Sequence, residues 1–317
     1  MVKKFDELTY VFPEKIRKVL LGLPFEIKKD VNEIRIRLNK PLVLNLKNTS
    51  VFVDISSTII SQINSNVLIL NKNDIIETFN KMCNYSIYSY QNEIINGFIT
   101  LKGGHRIGIC GTAVFNNEKL NNIKNISSIN IRISKEILNF NMDIYNLIKL
   151  NFIGILIVGS PGSGKTTLLK NLAKIYSTKK EKILTQVCVI DERGELSGSY
   201  LGEAQNDLGY SDILNGYKKS DGISQAIRSL SPDIIVCDEI IENDISSIKY
   251  GVNSGVKFIA TIHAKTPDEL LRKPYINDLI KLRAFDKFVF LSDKNSPSTI
   301  REILSLEELL KKEQLVC

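Results

Sequence analysis

Residues 153–176 read IGILIVGSPGSGKTTLLKNLAKIY: an apolar run, a glycine-rich turn, then a helical pattern. Within it Gly159, Gly164, Lys165 and Thr166 complete the spacing G-x-x-x-x-G-K-[ST]. A strand that turns directly into a helix N-terminus aims several backbone N–H groups at one point, which suits a β-phosphate. Gly162 and Gly164 let the backbone approach because neither carries a Cβ. We assign Gly159, Ser160, Pro161, Gly162, Ser163, Gly164, Lys165, Thr166 and Thr167 to a nucleotide-binding stretch, with Lys165 supplying charge and Thr166 a ligand to Mg²⁺. ATP and Mg²⁺ are the expected cofactors. The same pattern predicts a parallel α/β sheet for this part of the chain.

Working outward, Ile234-Ile235-Val236-Cys237 is a second apolar run, and it ends in Asp238-Glu239. A carboxylate at that strand end would hold Mg²⁺ through water (Asp238), and the next would orient and deprotonate an attacking water (Glu239). A water-directing carboxylate favours hydrolysis over transfer to a substrate hydroxyl. Asp191-Glu192-Arg193-Gly194-Glu195 closes an intervening strand, and Glu192 or Glu195 is expected near the Mg²⁺ or the water. Thr261-Ile262-His263 ends a further strand, so His263 is read as a γ-phosphate sensor or a contact to Glu239. Asn71-Lys72-Asn73-Asp74 matches the guanine-specifying N-K-x-D, but it precedes the phosphate loop instead of following it. We read it as a turn before a helix at Ile75, capped by Asp74.

Composition agrees with a globular chain of two domains. The 317 residues are 43% hydrophobic and 24% charged, which excludes disordered and collagen-like classes. Five scattered cysteines and two histidines argue against a zinc site or a disulfide framework and point to a reducing cytoplasm. The opening MVKKFDELTYVF is broken by Asp6 and Glu7, unlike an export signal, and no apolar stretch nears the roughly 20 residues of a membrane helix. The net charge of +7 lies wholly in residues 1–150, which hold 20 Lys+Arg against 13 Asp+Glu, whereas residues 151–317 hold 22 of each. A basic half of this kind suits phosphates, acidic headgroups or an acidic partner.

Before residue 150 the period is mostly two. Ile34, Ile36 and Leu38 alternate with Arg35 and Arg37, a turn at 39–41 leads into 42–46, and a second hairpin surrounds Gly103-Gly104. Ser128–Ser134 alternates in the same way. These readings give an N-terminal α+β domain (1–138), a linker helix (139–151) and a C-terminal α/β domain (152–317). A long Gly-, Ser- and Asp-rich loop is expected between Arg193 and Gly222. An amphipathic helix is expected at the tail, built on Ile303, Leu304, Leu306, Leu309 and Leu310 with Glu307/Lys311 and Glu308/Lys312 pairs.

The order of elements resembles the type II/type IV secretion ATPases: phosphate loop, acidic box 191–195, the run I-R-S-L-S-P-D at 227–233, Asp238-Glu239, and T-x-H at 261–263. E-I-R-I-R-L at 33, G-H-R-I-G at 104, S-I-N-I-R-I-S at 128 and V-I-D-E-R-G-E at 189 are most similar to the sporulation stage III AA family. This resemblance implies a RecA-like P-loop ATPase domain behind a smaller N-terminal α+β domain, assembled as a homo-hexameric ring with nucleotide between the domains. It implies N-terminal arginines that neutralise γ-phosphate charge, with Arg106 and Arg132 the best matches and Arg193 and Arg228 the C-terminal candidates. It also implies a cytoplasmic position at the membrane face of the mother cell, with membrane proteins of a sporulation channel or export apparatus as partners and no nucleic acid. Two other readings remain: a RecA-like nucleic-acid-dependent ATPase, which the basic half would serve, and a nucleotide-gated scaffold that barely hydrolyses ATP. Where secretion ATPases commonly place an arginine after the catalytic glutamate, this chain has Ile240-Ile241.

Overall fold

The computed structural model describes residues 2–47, 49–116, 118–135, 153–178, 184–294 and 296–314. The segment read as a linker helix, 139–151, lies outside the described residues. By internal contacts the chain forms two compact units, Met1–Glu136 with Gly198–Gln205, and Ile137–Ser197 with Asn206–Cys317.

The first unit is built on a seven-stranded antiparallel sheet. Its strands are β1 (Glu33–Arg37), β2 (Val43–Asn45), β3 (Ser50–Val53), β4 (Ile59–Ile60), β5 (Phe98–Leu101), β6 (His105–Asn116) and β7 (Lys119–Arg132), in the order β4-β3-β2-β1-β7-β6-β5. The period-two reading is realised in β1, where Ile34 and Ile36 are buried while Arg35 and Arg37 occupy the other face. β1 pairs with both β2 and β7, and β5 pairs with β6 across Gly103-Gly104, so both expected hairpins form. The helix Glu14–Leu21 follows Pro13 and buries Ile16, Val19 and Leu20 in the same core as Phe5 and Phe12. The helix Lys72–Met82 starts one turn earlier than expected. Asn71 is its cap, accepting from Asp74 N, while the Asp74 carboxylate accepts from Asn71 N, a reciprocal capping box.

Gly198–Gln205 enters this unit from within the second half of the sequence. Asn84 Nδ2 donates to Tyr200 Oη at 2.8 Å, and Gly103 N donates to Gln205 Oε1 at 2.8 Å.

The second unit is a seven-stranded sheet of β8 (Ile155–Val158), β9 (Val187–Asp191), β10 (Asp212–Asn215), β11 (Ile234–Cys237), β12 (Lys257–Ile262), β13 (Lys287–Leu291) and β14 (Ile300–Ser305). Its order is β10-β9-β11-β12-β8-β13-β14, parallel except for β14, which runs antiparallel to β13. The four expected strands are its centre. They are buried on both faces, which is why they read as continuous apolar runs: Leu156 and Val158 enter one core, Ile155 and Ile157 the other. Such a sheet gathers its ligand site beyond the C-terminal strand ends. Two expectations change here. The 193–222 stretch is not a plain loop, since it contains β10, paired in parallel with β9. At the tail, Ile303 and Leu304 belong to β14, and the helix begins at Leu306. Glu308 there accepts from Ser305 N and Oγ, and Lys312 pairs with Glu302 at 2.7 Å, so the expected Glu308/Lys312 pair gives way to a cap and a strand-to-helix bridge.

Candidate active site

The phosphate loop leaves β8 at Val158 and enters the helix Lys165–Thr178, whose first turn has no acidic residue to compete for an anion. Gly162 and Gly164 both have positive φ, 77° and 92°, and a Cβ on Gly164 would run into Ser298. Ser298, in the β13–β14 connection, donates its N–H to Ser163 O at 2.7 Å and so braces the loop from outside the motif. Lys165 is buried, and its ammonium donates to the carbonyls of Gly159 (2.9 Å) and Ser160 (3.0 Å) and lies 3.0 Å from His263 Nδ1. Burial lowers its pKa, against the pull of Asp238 and Glu239.

Thr166 Oγ1 donates to Asp238 Oδ2 at 2.8 Å, so the two residues assigned to Mg²⁺ meet although 72 positions separate them. A hydroxyl and a carboxylate side by side form a hard oxygen donor set of the kind Mg²⁺ takes with water filling its remaining positions. Thr261, the strand-end neighbour on β12, is the hinge of this edge. Its hydroxyl donates to Asp238 Oδ1 and accepts from Glu239 N at 2.8 Å.

Glu239 is held from two sides. Its carboxylate receives Arg193 Nη1 at 2.6 Å on Oε2 and His263 Nε2 at 2.9 Å on Oε1. With Nδ1 facing an ammonium, which can only donate, the neutral imidazole carries its proton on Nε2 and donates it to Glu239. His263 thus bridges Lys165 and Glu239, joining two residues that the sequence reading related only through a strand edge.

The acidic box divides its labour. Asp191 is buried and serves structure, accepting from Leu196 N (3.2 Å), Ser197 N (2.7 Å) and Ser197 Oγ (2.6 Å). Glu192 and Glu195 line a cleft with Asp238 and Glu239, and Glu192 accepts from Lys219 Nζ at 3.1 Å. Lys219, absent from the sequence reading, is buried at the start of the helix Lys219–Ser229. Burial works against its charge, but Asp244 and Glu192 outweigh this and hold its pKa above the ordinary lysine value.

The four arginines fall in different places. Arg193 joins the site. Arg228 lies in the last turn of the Lys219–Ser229 helix, at the end remote from Lys219, and donates to Ser224 O at 3.2 Å. Arg106 and Arg132 belong to the first unit, opposite each other in the β6–β7 register. Arg132 donates to Glu33 at 3.1 Å, and Arg106 stacks over the Phe98 ring at 4.1 Å. Among the described residues no cluster of His, Cys, Asp and Glu forms a metal site, and no helix is long and apolar enough to cross a membrane.

A mostly parallel sheet with a phosphate loop after β8 and paired carboxylates at the end of β11, one strand removed across β12, has the arrangement of a RecA-like P-loop ATPase fold. Solved structures agree: the ATPase DotB of Yersinia pseudotuberculosis matches with a TM-score of 0.59 at 14% identity, over 96% of this chain and 82% of that one. DotB of Legionella pneumophila matches with a TM-score of 0.55 at 14% identity, over 90% and 80%. The chain belongs to the family described as sporulation stage III, protein AA, whose model matches residues 2–308. A curated relative, stage III sporulation protein AA of Bacillus subtilis (strain 168), is 30% identical over 302 residues, 94% of each chain.

Proposed function

We propose that this protein hydrolyses ATP to ADP and phosphate and acts as the motor of a sporulation-associated, secretion-like membrane channel complex. The observation that carries the reading is the Glu239 carboxylate, held by Arg193 and His263 beside the Thr166–Asp238 pair. The phosphate loop and helix N-terminus bind the triphosphate, and Lys165 moves its positive charge from the loop carbonyls to the β/γ-phosphate oxygens. Glu239 accepts the proton of the attacking water while Arg193 and His263 hold its carboxylate in place. His263 reports the state of Lys165 to Glu239 through one ring. Thr166 and Asp238 would hold Mg²⁺, which would supply charge neutralisation for the phosphate oxygens.

The family and the DotB likeness support the wider frame: a homo-hexameric ring in which nucleotide turnover moves the two units, at the cytoplasmic membrane face of the mother cell, with membrane proteins of the channel as partners. The test is turnover by the purified full chain with Mg²⁺. Lys165→Ala is expected to lose tight ATP binding, and Glu239→Gln to bind ATP and lose hydrolysis. A Glu239→Gln protein that turns over at the parental rate would refute the assigned base. Saturable, severalfold stimulation by DNA or RNA near physiological salt, lost on neutralising Arg35 and Arg37, would transfer the protein to the nucleic-acid motors.

A further inference from the structure

Glu239 sits in the left-handed region, with φ +54°, a conformation that is strained for a non-glycine residue and persists only where its surroundings impose it. Those surroundings are visible on both sides of the residue. Its N–H is taken by Thr261 Oγ1 at 2.8 Å, the following N–H of Ile240 by Thr261 O at 2.8 Å, and its own carbonyl by Lys219 Nζ at 3.0 Å. The lysine is itself anchored, 3.1 Å from Glu192 Oε2 and 3.5 Å from Asp244 Oδ2. Asp244 is buried and accepts from Ile241 N at 3.0 Å, which fixes the chain just beyond Glu239.

Lysine is a poor residue for this place on general grounds. It is 7% exposed, and it stands at the first position of a helix, where the dipole opposes a cation. Packing alone would be served better by methionine or leucine. The ammonium gathers two carboxylates and one backbone carbonyl, and that carbonyl belongs to the proposed catalytic residue. We propose that Lys219 is the positioning residue of the hydrolytic site: it holds the Glu239 peptide in its left-handed conformation and so keeps the carboxylate on Arg193 and His263. Without it the peptide relaxes toward ordinary backbone and the carboxylate leaves the water.

This inference rests on the ATPase reading, and the experiment separates the two. The full-length parent, Glu239→Gln, Lys219→Met and the double variant Lys219→Met/Glu239→Gln are compared for ATP turnover, for affinity toward a fluorescent ATP analogue and for thermal midpoint. Lys219→Met is expected to lower kcat roughly tenfold or more, to leave nucleotide affinity within about twofold, and to add nothing once Glu239 is already Gln. A parental kcat in Lys219→Met, or losses that multiply in the double variant, overturns the inference while leaving the ATPase reading intact. A parent without turnover, or a fully active Glu239→Gln, overturns the ATPase reading itself. If Lys219→Met fails to fold around its stranded carboxylates, Lys219→Met/Asp244→Asn, which removes one of them, is judged by the same three measurements. Loss of folding in both variants, or equal losses of affinity and turnover, means a structural lysine and overturns the proposal.

Discussion

His105 shows how a motif residue can belong to stability and not to chemistry. It lies at the start of β6 with 1% exposure, and its Nδ1 accepts from Ser134 N at 3.3 Å. Burial, with a contribution from the Lys4 charge, pushes its pKa down to about 4. The unfolded imidazole titrates near 6.5, so the unfolded state binds the proton first as pH falls. The stability this neutral ring contributes is complete above about pH 6.5 and is lost as pH falls toward 4. Between pH 7.5 and 5 the parent is expected to lose about 2 kcal/mol from this group, read as a shift in urea midpoint, and His105→Gln is expected to lose much less. Equal acid sensitivity in the two proteins would remove His105 from the account.

Among the elements, those bearing chemistry were the most legible. The phosphate loop, the Asp238-Glu239 strand end and His263 could be read because each follows an apolar run that the sheet buries on both faces. Lys219 was not legible, since a lysine at a helix start carries no periodic or motif signal and its meaning comes from Glu192, Asp244 and the Glu239 carbonyl converging in space. Ser298 was hidden for the same reason. β10 escaped because its residues are only half-buried at a sheet edge, and the tail misled because Ile303 and Leu304 suit a helix face as well as a strand. Asn71-Lys72-Asn73-Asp74 supplies a direct check at this scale. Because it is a capping box, Asn71→Ala is expected to cost about 1 kcal/mol of stability and leave ATP turnover unchanged. A change in nucleotide preference would mean that the N-K-x-D likeness has functional content after all.

For the molecule as a whole, the proposed ring gives the first unit a role through its arginines. Arg106 and Arg132 face each other across β6 and β7, and Arg132 is held by Glu33 on β1. If one of them neutralises γ-phosphate charge, its replacement by alanine is expected to cut turnover roughly tenfold and leave ADP affinity unchanged, because ADP lacks that phosphate. Equal loss of ATP and ADP affinity would mark the arginine as structural.

The excursion of Gly198–Gln205 into the first unit makes that unit discontinuous in the chain. During synthesis its fold cannot be completed from the first 136 residues. It must wait for Tyr200 and Gln205 to leave the ribosome, by which time β8, the phosphate loop and β9 have already emerged. The first unit therefore closes while the second is still partly synthesised, and a fragment ending before residue 198 leaves the Gly103 N–H without Gln205 and Asn84 without Tyr200.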